Sequence, residues 1–135
     1  MDASLKDVSA ISLFVEDLVE AKAFYQTVFG GSPIFEDGNS AVFNIGNTMI
    51  NLLLVSAAHE LIEPALVGTR QAGSRFQLSI FVDDVDAACA RLVRSGIELL
   101  NGPIDRPWGM RTAAFADPAG HVWEVAQDIS PPGAA

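Results

Sequence analysis

A repeat within the chain is the feature that most constrains its fold. The segment ISLFVEDLVEAKAFY, which begins at Ile11, recurs as LSIFVDDVDAACARL from Leu78, an offset of 67 positions in a chain of 135 residues. Sequences that repeat in this way fold as successive copies of one structural unit. The repeat therefore predicts two similar modules, each formed by about half of the chain.

The two copies predict the same order of secondary structure. A β-rich run is followed by an aspartate, Asp17 or Asp84, of the kind that caps the start of a helix. Each helix is expected to end at glycine, at Gly30 or Gly96, and three short strands separated by turn sequences follow. The predicted strands cover about residues 10–15, 33–36, 41–45 and 48–54 in the first copy, and 77–82, 97–100, 112–116 and 121–127 in the second.

The order βαβββ therefore occurs twice, which predicts an α+β fold in a single domain, residues 1–135. Module one is expected at about residues 8–55 and module two at about 75–128, joined by a linker at about 56–74 that contains a short helical stretch. Residues 129–135 are predicted to form a flexible tail, since they are rich in proline and glycine.

Side-chain alternation along the strands indicates where a site would lie. Successive side chains of a strand point to opposite faces of its sheet, so every second residue faces away from the helix. Two curved mixed sheets with their helices outside would enclose those side chains in one concave cup. The modules could pair within one chain or across a homodimer. The side chains predicted to face the cup are those of Ala10, Ser12, Phe14, Met49, Asn51, Leu53, Gln77, Ser79, Phe81, Val122, Glu124 and Ala126.

Composition excludes several classes of function. The net charge is −9, and Lys6 and Lys22 are the only cations before Thr69, so no basic surface for nucleic acid is expected. No apolar run is long enough to cross a bilayer, and the first residues lack the features of a secretory signal. The single cysteine agrees with a reducing compartment. We therefore expect a cytoplasmic protein without membrane or nucleic-acid partners.

Three motifs in order resemble one family. SLFVEDLVEAKAFYQTVFGG, SIFVDDVDAACARLVRSGI and GMRTAAFADPAGHVWEVAQ are similar to the vicinal oxygen chelate superfamily, which groups glyoxalases, bleomycin-resistance proteins and extradiol dioxygenases, and the resemblance covers residues 8–127. It implies two βαβββ modules that form an open cup, a small organic ligand, and a homodimer. It also implies a divalent metal held by four side chains, two from each module.

The four places that correspond to the metal ligands are Ala10, Asn51, Gln77 and Glu124. Only Glu124 is a carboxylate; alanine has no lone pair, and the two amides are weak ligands. A divalent cation requires three or four good ligands to replace its hydration shell. This set predicts no tightly bound metal. The alternative is a weak site for nickel, zinc, manganese or iron built from Glu124 and Gln77, with or without Asn51.

Other residues have both a functional and a structural interpretation. Trp108 would form an aromatic wall of the site, or would pack beneath its own loop. Arg111 would bind an acidic or carbonyl ligand or pair with Glu124, or would be an ordinary surface residue. Phe14, Phe81 and Met49 would line the cup or belong to the core. His121 is expected in a turn rather than at a metal, His59 lies in the linker, and Cys89 is expected to be inert core.

Three functions are compatible with these residues. The first is a bleomycin-resistance-like protein that binds a small organic molecule in a largely apolar cup without a catalytic metal. The second is a glyoxalase- or dioxygenase-like enzyme, a lyase or isomerase, that uses a weak metal site or Glu124 as general base. The third is an interaction module whose cup is filled by its own side chains. The overall negative charge favours cationic ligands at long range.

Overall fold

The structure is a computed structural model that describes residues 5–131. It divides into two compact units, with the boundary between Thr69 and Arg70, inside the predicted linker. Residues 132–135 of the predicted tail lie outside the described residues. None of the described helices is long and apolar enough to cross a membrane.

The first unit is a four-stranded sheet with two helices. Its strands lie in the order β1-β4-β3-β2; β1 runs parallel to β4, and the other neighbours are antiparallel. The elements are β1 (Ala10–Val15), α1 (Leu18–Phe29), β2 (Phe35–Glu36), β3 (Ser40–Ile45), β4 (Thr48–Leu54) and α2 (Val55–Ile62).

The second unit repeats this arrangement. Its strands lie in the order β5-β8-β7-β6, again with one parallel pair, β5 with β8. The elements are a 3-10 turn (Arg70–Ala72), β5 (Gln77–Phe81), α3 (Val85–Arg94), β6 (Leu99–Arg106), β7 (Met110–Ala116) and β8 (Val122–Asp128). The predicted α+β class and the two βαβββ modules are confirmed.

Both long helices begin and end as the sequence predicts. The side chain of Asp17 accepts a hydrogen bond from the backbone N–H of Glu20 at 3.0 Å, and Asp84 accepts one from Ala87 at 3.1 Å. These bonds satisfy backbone donors that lack partners in the first turn. At the other end Gly30 and Gly96 have φ of 74° and 87°, a region that glycine enters without strain.

Each helix packs on one face of its sheet and buries an apolar layer there. In the first unit the ring of Tyr25 is fully buried, 6.3 Å from that of Phe43 and 6.0 Å from that of Phe29. In the second unit Phe115 and Trp123 are buried under α3. The buried helix residues are Ala21, Tyr25 and Val28 in α1 and Val85, Cys89 and Leu92 in α3.

Strand β6 differs from the prediction. The turn sequence around Gly102 predicts that this strand ends near Leu100, whereas it continues to Arg106 with two register shifts against β7. Gly102 makes the continuation possible, because its φ is 86° and an added Cβ would overlap the carbonyl oxygen of Thr112 on β7. The glycine marks a bulge inside a strand rather than a turn between strands.

Candidate functional site

The face of each sheet that points away from its long helix carries six of the eight predicted site residues, all except Trp108 and Arg111. We call it the far face, meaning the side opposite α1 in the first sheet and opposite α3 in the second. Residues directly paired across neighbouring strands point to the same face. In the first sheet the register places Asn51 on β4 between Ser12 on β1 and Val42 on β3. In the second sheet it places Ser79 opposite Glu124, followed by Ala114 and Asn101 on the next strands.

A serine contacts the central polar residue in both units. In the first, the amide Nδ2 of Asn51 donates to Ser12 Oγ at 3.2 Å. In the second, Ser79 Oγ donates to Glu124 Oε1 at 2.8 Å. Ser12 and Ser79 occupy equivalent places in the repeat, so the same scaffold holds a neutral pair in one unit and a charged pair in the other.

Each pair leaves hydrogen-bonding capacity unused. Asn51 Oδ1 is buried and has no hydrogen-bond partner among the described residues. Glu124 is half-buried, and within residues 5–131 the single hydrogen bond to its carboxylate comes from Ser79. A carboxylate offers about four acceptor positions, and a buried polar atom without a partner is costly. The Glu124 carboxylate is therefore suited to receive a donor from a bound molecule, whereas Asn51 Oδ1 is enclosed by the protein.

The four places that would hold a metal do not fit one. Ala10 presents a methyl group, Asn51 and Gln77 present amides, and Glu124 is the one carboxylate. Within residues 5–131 no group of three or more histidine, cysteine, aspartate or glutamate side chains is arranged to hold an ion. Good ligands for a divalent cation are too few in this donor set.

Arg111 lies on the opposite face of the second sheet. It pairs with Gln127 in register, and Gln127 Oε1 accepts from the N–H of Val85 at the start of α3. The guanidinium of Arg111 contacts Asp105 at 2.8 Å and Asp86 at 3.0 Å, which raises its pKa through hydrogen bonds and opposite charge. The pairing of Arg111 with Glu124 that the sequence suggested is not formed, because the two side chains lie on different faces of the sheet.

Arg106 is a cation on the far face of the second sheet, and the local sequence pattern does not predict it there. Its Nε donates to Thr112 Oγ1 at 3.0 Å, and its Nη2 lies 3.4 Å from Asn101 Oδ1. It was missed because Asn101, Gly102 and Pro103 predict a turn, which removes the following residues from the sheet. The glycine followed by proline was the one signal that could also have indicated a bulge.

The predicted apolar lining residues differ in exposure. Phe81 is paired with Ala126 on the far face of the second sheet and is 79% exposed. Phe14 and Met49 lie on the far face of the first sheet and are half-buried. Trp108 is at the tip of the turn between β6 and β7 and is 68% exposed. Their predicted roles as ligand contacts stay predictions.

The remaining candidates have structural positions. His121 lies in the turn before β8, where its Nδ1 is 2.9 Å from Asp117 Oδ2 and its backbone N–H donates to Asp117 Oδ1 at 2.8 Å. His59 is exposed on α2. Cys89 is one of the buried residues of α3, and burial is the main cause that raises the pKa of its thiol. A raised pKa disfavours the reactive thiolate, as expected for a core cysteine.

Comparison with known proteins identifies the family. The model of the Glyoxalase/Bleomycin resistance protein/Dioxygenase superfamily matches residues 8–125. The uncharacterised protein YraH of Bacillus subtilis is 32% identical over 121 residues, which are 85% of this chain and 93% of that protein. Bovine mitochondrial methylmalonyl-CoA epimerase is 31% identical over 104 residues, 73% of this chain and 59% of the epimerase.

Solved structures agree with this assignment. A glyoxalase/bleomycin resistance protein/dioxygenase from Nocardioides has a TM-score of 0.83 at 25% identity, covering 99% of this chain and 92% of its own. Lactoylglutathione lyase from Agrobacterium tumefaciens has a TM-score of 0.71 at 25% identity, covering 90% and 92%. This chain belongs to the Glyoxalase/Bleomycin resistance protein/Dioxygenase superfamily.

Proposed function

We propose that this protein binds a small organic molecule on the far face of its second sheet, with Glu124 as the central polar contact and without a catalytic metal. The carrying observation is the half-buried carboxylate of Glu124, for which the described residues provide one hydrogen-bond donor, Ser79. Members of the family commonly bind small molecules. A ligand that donates to Glu124 would satisfy the carboxylate, which is the usual role of the few polar groups in a ligand site.

The neighbouring residues support a mixed polar and apolar contact surface. Gln77 and Ser79 are exposed on the same face, and Phe81 presents a nearly free aromatic ring two residues further along β5. Ala114, next to Glu124 on β7, is buried, so the exposed apolar contact on this face is Phe81.

A thermal-shift screen of the whole chain tests this proposal. The panel contains hydrophobic cations, aromatic antibiotics, alpha-keto compounds and aromatic carboxylates, because a ligand that binds the folded state alone raises the melting temperature. We expect at least one class to raise Tm, with the shift reduced in Glu124→Gln. Glu98→Gln is the matched control, since Glu98 is an exposed glutamate in the loop between α3 and β6. A panel without any shift would contradict the proposal and favour an interaction module.

The second candidate is a lyase, isomerase or epimerase that uses Glu124 as a general base. Two observations favour it: the similarity to proteins named as a lyase and an epimerase, and the hydrogen bond from Ser79 that orients the Glu124 carboxylate. A metal titration distinguishes a metal-dependent enzyme from a metal-free one. The protein is purified without chelator and then titrated with nickel, zinc, manganese and iron. Stoichiometric binding that disappears in Glu124→Ala would overturn the proposal of a metal-free site.

Assembly and location stay predictions. A homodimer is expected from the family, and its mass is measured directly by sedimentation velocity; a monomer across the concentrations used in the binding assays would contradict it. A cytoplasmic location is expected from the composition and is checked by fractionation of cells that express the tagged chain.

A further inference from the structure

Three cationic side chains among the described residues are half-buried rather than exposed: Lys22, Arg106 and Arg111. Lys22 forms an ion pair with Glu36 at 2.6 Å, and Arg111 forms ion pairs with Asp86 and Asp105. Arg106 has no carboxylate partner within residues 5–131. It differs in this respect from the other two although the chain has 17 acidic residues and a net charge of −9.

The partners that Arg106 does have are neutral. Its Nε donates to the hydroxyl of Thr112, and its Nη2 lies near the amide oxygen of Asn101. These contacts hold the side chain along β6 and leave most of its five N–H donors for other acceptors. A partly desolvated guanidinium without an opposite charge is unfavourable, and a carboxylate that accepts two parallel hydrogen bonds is its best partner.

The sheet register places Arg106 and Glu124 on the same face. Asn101, which the guanidinium of Arg106 reaches, is opposite Ala114, and Ala114 is opposite Glu124 on the next strand. Asn101 and Glu124 are thus two strand spacings apart, roughly 10 Å at the backbone. The side chain between them is the methyl group of Ala114, which is too small to separate them. One molecule of moderate size could contact both charges.

We propose that Arg106 binds an anionic group, a carboxylate, on the same molecule whose hydrogen-bond donor contacts Glu124. The inference rests on the proposed function and specifies its ligand class: an organic acid with a hydroxyl, amide or ammonium group at the other end. The long-range field of a chain with net charge −9 attracts cations, so selection of an acid depends on the short-range contact with Arg106.

Calorimetric titration of the whole chain tests the ligand class. The probes are benzoate, para-hydroxybenzoate, para-aminomethylbenzoate and N-acetylphenylalanine, each paired with its primary amide, together with every compound that raises Tm in the screen. We expect at least one carboxylate to bind about tenfold or more tightly than its amide, because a hydrogen-bonded ion pair contributes more than a neutral contact. Arg106→Gln should remove this preference.

Two further variants keep the test decisive. Arg94→Gln is the matched control, because Arg94 is an exposed arginine in the last turn of α3, and its replacement should leave the preference unchanged. Arg106→Lys retains the charge without the planar fork and should weaken carboxylate binding about threefold or more. If circular dichroism shows that Arg106→Gln does not fold, the effect on carboxylate binding is judged from Arg106→Lys.

The possible outcomes separate this inference from the proposed function. Carboxylate preference that is lost in the Arg106 variants and kept in Arg94→Gln supports both. Binding of amides or cations that is equally strong in wild type and Arg106→Gln overturns the inference and leaves the proposed function standing. A carboxylate preference that persists in the Arg106 variants also overturns the inference. Absence of binding by every probe overturns both.

Discussion

The two modules share their inner halves and differ in their outer hairpins. Each begins with a strand, a helix capped by aspartate and a parallel strand pair that brings a serine beside the central polar residue. The outer hairpins differ, since β2 has two residues, whereas β6 has eight and contains a bulge. The longer strand adds Arg106 to a far face that already carries Glu124. The repeat thus preserves the scaffold in both modules, and the outer hairpin determines which charged side chains lie on the far face.

Gly102→Ala should have the largest effect on stability, since it breaks the feature that distinguishes the second module. Its φ of 86° and the overlap of any Cβ with Thr112 and with Ala113 Cα, at 2.7 Å, both oppose a side chain. We expect a loss of at least about 3 kcal/mol in the free energy of unfolding, from backbone strain and overpacking together. Urea denaturation monitored by tryptophan fluorescence measures it.

Gly96→Ala is the matched control for this substitution. Gly96 has φ of 87°, like Gly102, but a Cβ there would meet no atom within 4 Å. Its loss should be about 1 kcal/mol, the cost of the backbone conformation alone. Equal losses in the two variants would show that the bulge at Gly102 tolerates a side chain, contrary to the close packing of β6 on β7.

Removal of the helix caps should have an intermediate effect that is equal in the two modules. Asp17→Ala and Asp84→Ala each delete one hydrogen bond to a first-turn N–H, at 3.0 and 3.1 Å. Each should lower the free energy of unfolding by about 1 kcal/mol. Thermal and urea unfolding of both variants provide the comparison. A loss in one variant without a similar loss in the other would contradict the equivalence of the inner halves.

The smallest effect on stability is expected from a substitution in the turn between β2 and β3 of the first module. The corresponding turn of the second module has a different sequence. Asp37 Oδ1 accepts hydrogen bonds from the N–H groups of Asn39 and Ser40 and from the Ser40 hydroxyl, and these lower the pKa of its carboxyl. A lowered folded-state pKa contributes stability above the unfolded pKa, and this contribution is lost as pH falls through the folded value.

Asp37→Ala should therefore lower Tm slightly at about pH 7, and the difference from wild type should shrink as pH falls from the unfolded-state pKa of Asp37 through its lowered folded-state pKa. Calorimetric scans across this range measure the difference. A Tm difference that is independent of pH would show that the turn depends on the backbone conformation at Asp37 rather than on its charge.

The sequence predicted more of the fold than of the site. The repeat, the caps Asp17 and Asp84 and the glycine stops depend on neighbours within a few positions, so the order of elements and the face of each strand could be read locally. The prediction for Arg111 was wrong in one respect, its pairing with Glu124, because the register of β7 on β8 places Arg111 opposite Gln127 and puts Ala114 opposite Glu124. Arg106 was missed because the bulge at Gly102 extends β6 beyond the predicted turn.

By itself the sequence determined the two βαβββ modules, their family and the presence of Glu124 at the centre of a strand face. Only the tertiary structure decided which charged groups accompany it. Arg106 and Arg111 are five positions apart, in adjacent strands of one hairpin, and cross-strand register sends them to opposite faces of the sheet. Register is set by contacts between residues distant in sequence, such as Gly102 against Thr112, and local patterns do not contain it.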